Sequence, residues 1–114
     1  MAYTEYPTVT ISSGGSLSPE VGLGEKTLVG ILMPAGWDAA SITFQATPDD
    51  VNFGELYNSG GTEVTFTVAA GQFIAVDPTL WRGITGIKVR SGTSASPVNQ
   101  TANRTLTLIT RSVY

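Results

Sequence analysis

The chain alternates apolar and polar residues over short runs, which is the pattern of half-buried β-strands. In residues 41–47, every second side chain is apolar. The same two-residue period occurs in residues 63–68, 86–90 and 104–111. No stretch keeps the period of about 3.6 residues that an amphipathic helix needs. The pattern therefore predicts strands at these four places and only incidental helix.

Two further runs, residues 27–33 and 72–76, are apolar at nearly every position. A strand of this kind is covered on both faces, so we expect its own core on one side and a loop or another subunit on the other. Residues 6–13 and 53–57 give shorter strands. A single helical turn is predicted over residues 77–81, with Asp77 as its N-cap and Pro78 at its first position.

Eight strands spaced by about ten residues predict an all-β protein, an antiparallel two-sheet sandwich with jelly-roll topology. The alternative is an immunoglobulin-like sandwich, but its Cys-Trp-Cys pattern is missing. The 114 residues support one hydrophobic core, so the prediction is a single domain over residues 1–114. Two segments are expected to pack poorly: an amino-terminal arm over about residues 1–5, and the polar loop 92–103.

The composition excludes most catalytic chemistry, because the chain has no Cys and no His. Disulfides, thiol nucleophiles, zinc fingers and Ser-His-Asp triads are all excluded. Asp49, Asp50 and Asn52 crowd three oxygen donors into one turn, but they lack the ligand spacing of a calcium loop. We predict a solvated hairpin turn there. The expectation is a protein that is not an enzyme and uses neither metal nor cofactor.

The charges divide along the chain. Nine acids and one Lys lie within residues 1–77, whereas five basic residues and no acid lie within residues 78–114. The basic residues are spread over three predicted strands and the pI is about 4.6, which speaks against nucleic-acid binding. The opposite charges either pair within one subunit or match a neighbouring subunit. No apolar run reaches the roughly 18 residues of a membrane span, and MAYTEYPT lacks the basic and apolar regions of a secretory signal, so neither a span nor a signal is expected.

A resemblance emerges from the order of motifs. The chain reads GILMP, then WDAASITFQ, an acidic turn, LY, TVAA and finally KVRSG. Over about residues 7–111 this order resembles small β-rich virion proteins of tailed bacteriophages and prophages. The ITFQAT and IKVRSG strands are also similar to galactose-binding-like, discoidin-type jelly rolls, which favours the sandwich.

The phage resemblance implies a non-enzymatic protein that decorates or cements the outer capsid surface in the virion. Its partners would be the major capsid protein and further copies of itself, by analogy in a trimer, with synthesis in the bacterial cytoplasm. A head-tail connector component is a variant of this hypothesis. Seven residues are predicted to contact the capsid or another subunit: Tyr3, Tyr6, Val29, Ile31, Met33, Lys88 and Arg90.

A carbohydrate-binding module of a phage tail or fibre is the alternative function. Its stacking platform for sugar rings would be Trp37, Tyr57 and Trp81, since aromatic faces bind such rings. The competing interpretation of Trp37 and Trp81 is that they close the two ends of the core.

Overall fold

The computed structural model describes residues 3–112 as nine strands and one 3-10 turn, arranged in two antiparallel sheets. The strands are β1 (Thr4–Glu5), β2 (Thr8–Ile11), β3 (Val21–Gly22), β4 (Lys26–Leu32), β5 (Ile42–Thr47), β6 (Gly54–Glu55), β7 (Phe73–Ala75), β8 (Gly86–Ser91) and β9 (Arg104–Ser112). The 3-10 turn covers Pro78–Trp81, and the Asp77 carboxylate accepts a hydrogen bond from the Thr79 amide as its predicted N-cap.

The nine strands form one five-stranded and one four-stranded sheet. In the first sheet, β9 pairs with β1 and β2 on one side and with β4 on the other, and β7 pairs with the far side of β4. The second sheet has the order β3-β8-β5-β6. The predicted all-β, two-sheet sandwich is therefore confirmed. Strands that follow each other in sequence mostly lie in different sheets, an order compatible with the predicted jelly roll. No helix within residues 3–112 is long and apolar enough to cross a membrane.

The core lies between the sheets and is built from the alternate apolar positions that the sequence displays. Leu106 and Leu108 of β9 face Ile42 and Phe44 of β5 across this space, and all four side chains are fully buried. The Phe44 ring meets Phe66 and Trp81 edge-on, with ring centroids 5.3 and 4.9 Å away. Edge-to-face packing of this kind adds to the stabilisation that burial alone provides.

The strand predicted over residues 63–68 forms only two isolated bridges, from Glu63 to Tyr57 and from Phe66 to Ile42. The Val64 amide bonds the Leu56 carbonyl, but two residues later Phe66 exchanges both backbone hydrogen bonds with Ile42. The segment changes its partner too soon for a ladder to form. Its alternation was nevertheless predicted correctly, because Val64 is buried and its neighbours are more exposed.

A β-bulge in β4 explains why residues 27–33 are apolar at nearly every position. The register against β9 shifts between Leu28 and Gly30, so that Val29 lies in the bulge. Leu28 and Ile31 are three residues apart, yet both are fully buried in the core. Because a bulge adds one residue to one strand, it resets which side chains face inward. The outward position Leu32 is exposed, so no residue within 3–112 supplies the predicted cover on the second face at this position.

Two segments expected to pack poorly make backbone hydrogen bonds within the fold. In the amino-terminal arm, Thr4–Glu5 pairs with β9 as β1, while residues 1 and 2 lie outside the described range. In the loop 92–103, the Gln100 side chain is fully buried. The Gly14 amide donates to the Gln100 carbonyl at 2.8 Å, and the Gln100 amide donates to the Gly15 carbonyl at 2.9 Å. Polar loops thus satisfy each other's backbone groups.

Candidate functional site

The surface of the five-stranded sheet that faces away from the core carries an uncharged patch, which we call the outer face. It spans β2, β9, β4 and β7 together with Tyr6, one of the two residues between β1 and β2. The outer face consists of Tyr6, Thr8, Leu32, Phe73, Thr107 and Ile109.

Pairing with β9 places Tyr6 on this face. Glu5 lies opposite Thr110 and Thr8 lies opposite Thr107, so β1 and β2 share one register with β9. Continuing that register sets Tyr6 opposite Ile109, on the same side of the sheet as Thr8. The outer face is therefore continuous from the edge of the sheet to its middle strand.

Phe73 extends the outer face across β4 to the opposite edge. It lies opposite Leu32 in the β4–β7 pair, diagonal to Gly30. A Cβ atom at Gly30 would lie 2.7 Å from Cζ of the Phe73 ring, so the ring lies over the glycine. An aromatic ring that covers a strand glycine in this way restores packing that the missing side chain leaves open. The absence of a side chain at Gly30 thus leaves the space that the Phe73 ring occupies.

The outer face is apolar to an unusual degree for solvent-exposed surface. Tyr6 is 67% exposed, Phe73 60% and Leu32 45%. Large apolar side chains that gather on one surface mark interaction sites, whereas scattered ones do not. The outer face is thus the strongest candidate for a binding surface within residues 3–112.

Charge is nearly absent from this side of the sheet. Of the outward positions on β9, only Arg111 is ionisable, and it lies two residues beyond Ile109. Its guanidinium donates to the Thr4 hydroxyl at 2.9 Å. At the other end of the strand, the hydroxyls of Thr10 and Thr105 share a hydrogen bond of 2.9 Å. The polar groups that border the outer face are therefore bonded to each other.

The predicted contact residues do not form one surface. Ile31 and Met33 are 0% and 2% exposed, so their side chains fill the core and the contact prediction is wrong for both. Val29 is half-buried in the bulge. Tyr3 and Tyr6 are exposed, and for them the contact stays a prediction.

Arg90 is buried as well, although alternation along β8 predicts that it points to solvent. The segment from residue 53 to 66 covers this side of the second sheet, and it brings two carboxylates to the guanidinium. Arg90 Nη2 lies 2.5 and 2.7 Å from the two carboxylate oxygens of Glu55, and Nη1 lies 3.6 Å from Glu63. Lys88 is half-buried, with Nζ 4.4 Å from the centre of the Phe53 ring. Arg90 cannot contact a partner, and Lys88 is already engaged.

The charge division along the sequence is partly paired within one chain. Arg90 binds Glu55 and Glu63, and Arg104 binds Asp38 at 3.2 Å, so basic residues of the second part bind acids of the first. These pairs form because the interleaved sheet order sets distant segments side by side. Of the two alternatives that the sequence leaves open, pairing within the subunit is the one that these contacts realise.

The predicted sugar-stacking platform is wrong for two of its three residues. Trp81 is fully buried, and Trp37 is 6% exposed with its indole N–H donating to the Ala40 carbonyl at 3.0 Å. Both tryptophans instead contribute to the core, as the competing interpretation expects. Tyr57 is exposed, on the hairpin beside the second sheet. A single tyrosine remains of that platform.

The acidic turn after β5 is an exposed hairpin turn, as predicted, because it joins the antiparallel strands β5 and β6. Asp49 Oδ1 accepts hydrogen bonds from the amides of Asn52 and Val51, at 2.8 and 3.0 Å, and from the Thr47 hydroxyl at 3.0 Å. These bonds hold the pKa of Asp49 far below its ordinary value, and the bond from the Asn52 amide has the largest effect. Its oxygens are occupied by the turn itself. Among the described residues, no three His, Cys, Asp or Glu side chains gather as a metal site would require.

A cavity of about 200 Å³ lies beside the 3-10 turn, lined by residues 24–26 and 82–85. Its charged lining includes Lys26, whose ammonium already binds Glu5 at 3.4 Å. Its other charged residues, Glu25 and Arg82, are exposed, and its volume is below the roughly 300 Å³ at which ligand pockets begin, so it is a weaker candidate than the outer face.

Comparison of the chain with protein-family models, curated proteins and solved structures finds no match in any of the three. The outer face therefore has to be interpreted from its own chemistry. Sequence patterns alone missed Leu32, Phe73 and Ile109. The available signal was the expectation that strands 27–33 and 72–76 need cover on both faces, which indicated a surface but named the wrong residues.

Proposed function

We propose that this chain is a non-enzymatic structural protein of a phage virion that decorates the outer surface of the capsid as a homo-oligomer. The observation that carries this proposal is the outer face. A rigid sheet that presents large apolar side chains and no charge is suited to contact with protein. The order of motifs over residues 7–111 is similar to that of small virion proteins, and this similarity is the reason for proposing that the contact is made in a phage virion.

The ionisable groups support a structural role. The hydrogen bonds of three charged side chains hold segments of the fold together, namely those of Arg90, Arg104 and Asp49. Catalysis would instead need such groups to converge on an open cleft with shifted pKa values. The major capsid protein is the proposed partner, with the exposed Tyr3 at the sheet edge as a candidate contact outside the outer face.

The experiment is co-sedimentation of the purified protein with empty capsids assembled from the major capsid protein of the same genome. We expect saturable binding with a fixed copy number for each capsid. The absence of binding at about 100 μM protein would overturn the proposal, because contacts that assemble a virion must be tighter than that. Retention on host polysaccharide without capsid binding would favour the carbohydrate-binding alternative. Neighbouring reading frames that encode capsid and scaffold proteins would add independent support.

A further inference from the structure

We propose that the outer face is the contact between two copies of this chain, which meet through it about a two-fold axis. The inference rests on the proposed function, since it names how the copies of the homo-oligomer meet. In a two-fold contact the same patch faces itself, so every residue on the axis meets its own counterpart. The trimer expected by analogy would instead join two different patches.

Charge is the first argument for a second copy as the occupant. A patch with charge of one sign repels its own copy, whereas the outer face has none to repel. Arg111, the ionisable outward residue of β9, lies two residues beyond Ile109, and its guanidinium is bonded to Thr4. A partner selected by charge matching would leave a charged counterpart on this surface. The outer face is therefore compatible with itself.

Shape is the second argument. Two rows of outward residues, about 7 Å apart and crossing four strands at a spacing of about 4.8 Å, form a flat footprint on the order of 260 Å². Side-chain relief increases the area that two such faces bury, but the contact stays below the roughly 1,000 Å² of most specific interfaces. Two sheet faces can pack at about 10 Å, as they do inside any β-sandwich. The contact therefore belongs to the small, weak class, and the dimer is expected only at high protein concentration.

Position is the third argument. The predicted cover on both faces of residues 27–33 is satisfied on the inner side by the core, yet Leu32 on the outer side is exposed. Phe73, whose ring lies over Gly30, is exposed beside Leu32, opposite it in the β4–β7 pair. A second copy would bury both side chains and supply the cover that the apolar pattern requires.

The test introduces charge at Thr107, near the middle of the outer face, where the side chain is half-buried and β9 is flanked by strands on both sides. Sedimentation equilibrium at about 100 μM and above should find the unmodified protein as a dimer in equilibrium with monomer. T107K alone and T107E alone should each weaken self-association at least tenfold. A mixture of the two variants should associate again, because a two-fold contact then brings opposite charges together.

The matched control uses Thr62, an exposed threonine in the turn beyond Tyr57, on the other sheet's side of the molecule. T62K and T62E should leave self-association unchanged. Thermal melting of all four variants confirms that each is folded before association is measured. Between about 0.05 and 0.5 M salt, the dimer of the unmodified protein should change in affinity by less than threefold, since the contact has no ion pair to screen.

Several results would overturn the inference. A monomer at about 1 mM protein rules out a dimer of this kind. If T107K and T107E leave the dimer intact, the two copies meet through another surface. If both variants lose self-association and their mixture does not recover it, the contact joins two different patches. A monomer whose capsid binding is abolished by T107K would identify the capsid protein as the occupant and leave the proposed function in place. A dimer that forms through the outer face but has no affinity for capsids would support the two-fold contact and overturn the proposed function.

Discussion

At the scale of single residues, the most consequential side chain is Arg90, because it is charged and only 6% exposed. Its guanidinium binds Glu55 and Glu63 and donates to the Thr43 hydroxyl at 3.3 Å. Taking such a group out of water costs free energy that only close partners offset. These bonds fasten the segment that carries both glutamates to the outer side of the second sheet.

We expect R90M to lower the free energy of unfolding by about 3 kcal/mol, because it leaves two carboxylates close together without their cation. Urea denaturation measures the change. Adding E55Q and E63Q to R90M should recover at least about 1 kcal/mol by removing the stranded charges. R111M is the control, since Arg111 is exposed and should change stability by less than about 0.5 kcal/mol. Equal costs for R90M and R111M would show that the buried pairs contribute nothing.

Gly92 is the glycine most closely surrounded by backbone atoms. Its φ is +88°, and a Cβ atom there would lie 2.5 Å from the Ser96 carbonyl oxygen and 2.7 Å from the Val98 nitrogen. Both neighbours are backbone atoms and cannot move aside without breaking the loop. Gly14 has a similar φ of +81° with nothing within 4 Å, so it carries the backbone strain alone.

We predict that G92A lowers the free energy of unfolding by about 3 kcal/mol or more, against about 1–2 kcal/mol for G14A. The left-handed conformation penalises both substitutions equally, and only G92A adds the clash. Chemical denaturation of the two variants side by side gives the difference. If G14A were as costly as G92A, the close approach to residues 96–98 would be irrelevant to stability.

At the scale of elements, Gln100 anchors the loop that joins β8 to β9. Its amide nitrogen donates to Ser91 Oγ at 2.9 Å and to the Asp38 carbonyl at 3.2 Å. Its amide oxygen accepts from the Asp38 N–H at 2.9 Å and from Arg104 Nε at 3.2 Å. One buried side chain thus connects β8, β9 and the segment before β5.

Q100A should lower the free energy of unfolding by about 2 kcal/mol, because it leaves buried donors and acceptors without partners. Hydrogen exchange at the amides of Asp38 and Gly14 should quicken at least tenfold. N99A is the matched control, since Asn99 is an exposed amide next in sequence. Unchanged exchange in Q100A would mean that the backbone bonds to residues 14 and 15 hold the loop without the side chain.

Sequence patterns predicted the elements well where the structure depends on apolar alternation or on residues close in sequence. Strand β5 and the capped turn at Asp77 follow from two-residue alternation and local chemistry. The failures occurred where long-range polar partners decide the outcome. Arg90 alternates as a solvent-facing residue would, and Gln100 lies in a stretch with hardly any apolar side chain. Nothing local in the sequence shows that Glu55 or Asp38 comes close to them.

The candidate site was harder to predict than the fold. Tyr6 was selected for its place near the amino terminus, and the structure sets it on the outer face. Ile31 was selected as part of an apolar run, but the bulge at Val29 turns it inward. A bulge shifts inward and outward positions by one residue, and alternation alone does not reveal where it occurs. The exposed face was therefore assigned to the wrong alternate positions.

At the scale of the whole molecule, the pH dependence of stability is decided by carboxylates, because the chain has no His. Hydrogen bonds from backbone amides lower the pKa of three aspartates below the ordinary value of 3.8. The donors are the Thr101 amide to Asp38, the Asn52 amide to Asp49 and the Thr79 amide to Asp77. A lowered folded-state pKa stabilises the fold above the unfolded pKa and loses that effect as pH falls through the folded value. We expect stability in urea to fall steeply below about pH 4.

Glu20 contributes with the opposite sign. Partial burial raises its pKa above the ordinary 4.5, and a hydrogen bond with Asp50 and the charge of Asp50 raise it further, against the opposing charge of Lys88. A raised folded-state pKa stabilises the fold below the unfolded pKa, and this stabilisation is lost as pH rises through the folded value. E20Q should therefore gain stability relative to the unmodified protein between pH 4 and 7. A constant difference across that range would contradict the shift.

Both tryptophans are shielded from water, and this gives the molecule a built-in optical reporter. Trp81 lies against Phe44, and its indole N–H finds no hydrogen-bond partner among residues 3–112, so its emission should be shifted toward short wavelengths. Neither indole belongs to the outer face. Loss of the fold will therefore change the colour of the fluorescence, whereas pairing of two intact molecules will leave it almost unchanged. Folding and assembly can be followed separately in one unlabelled sample.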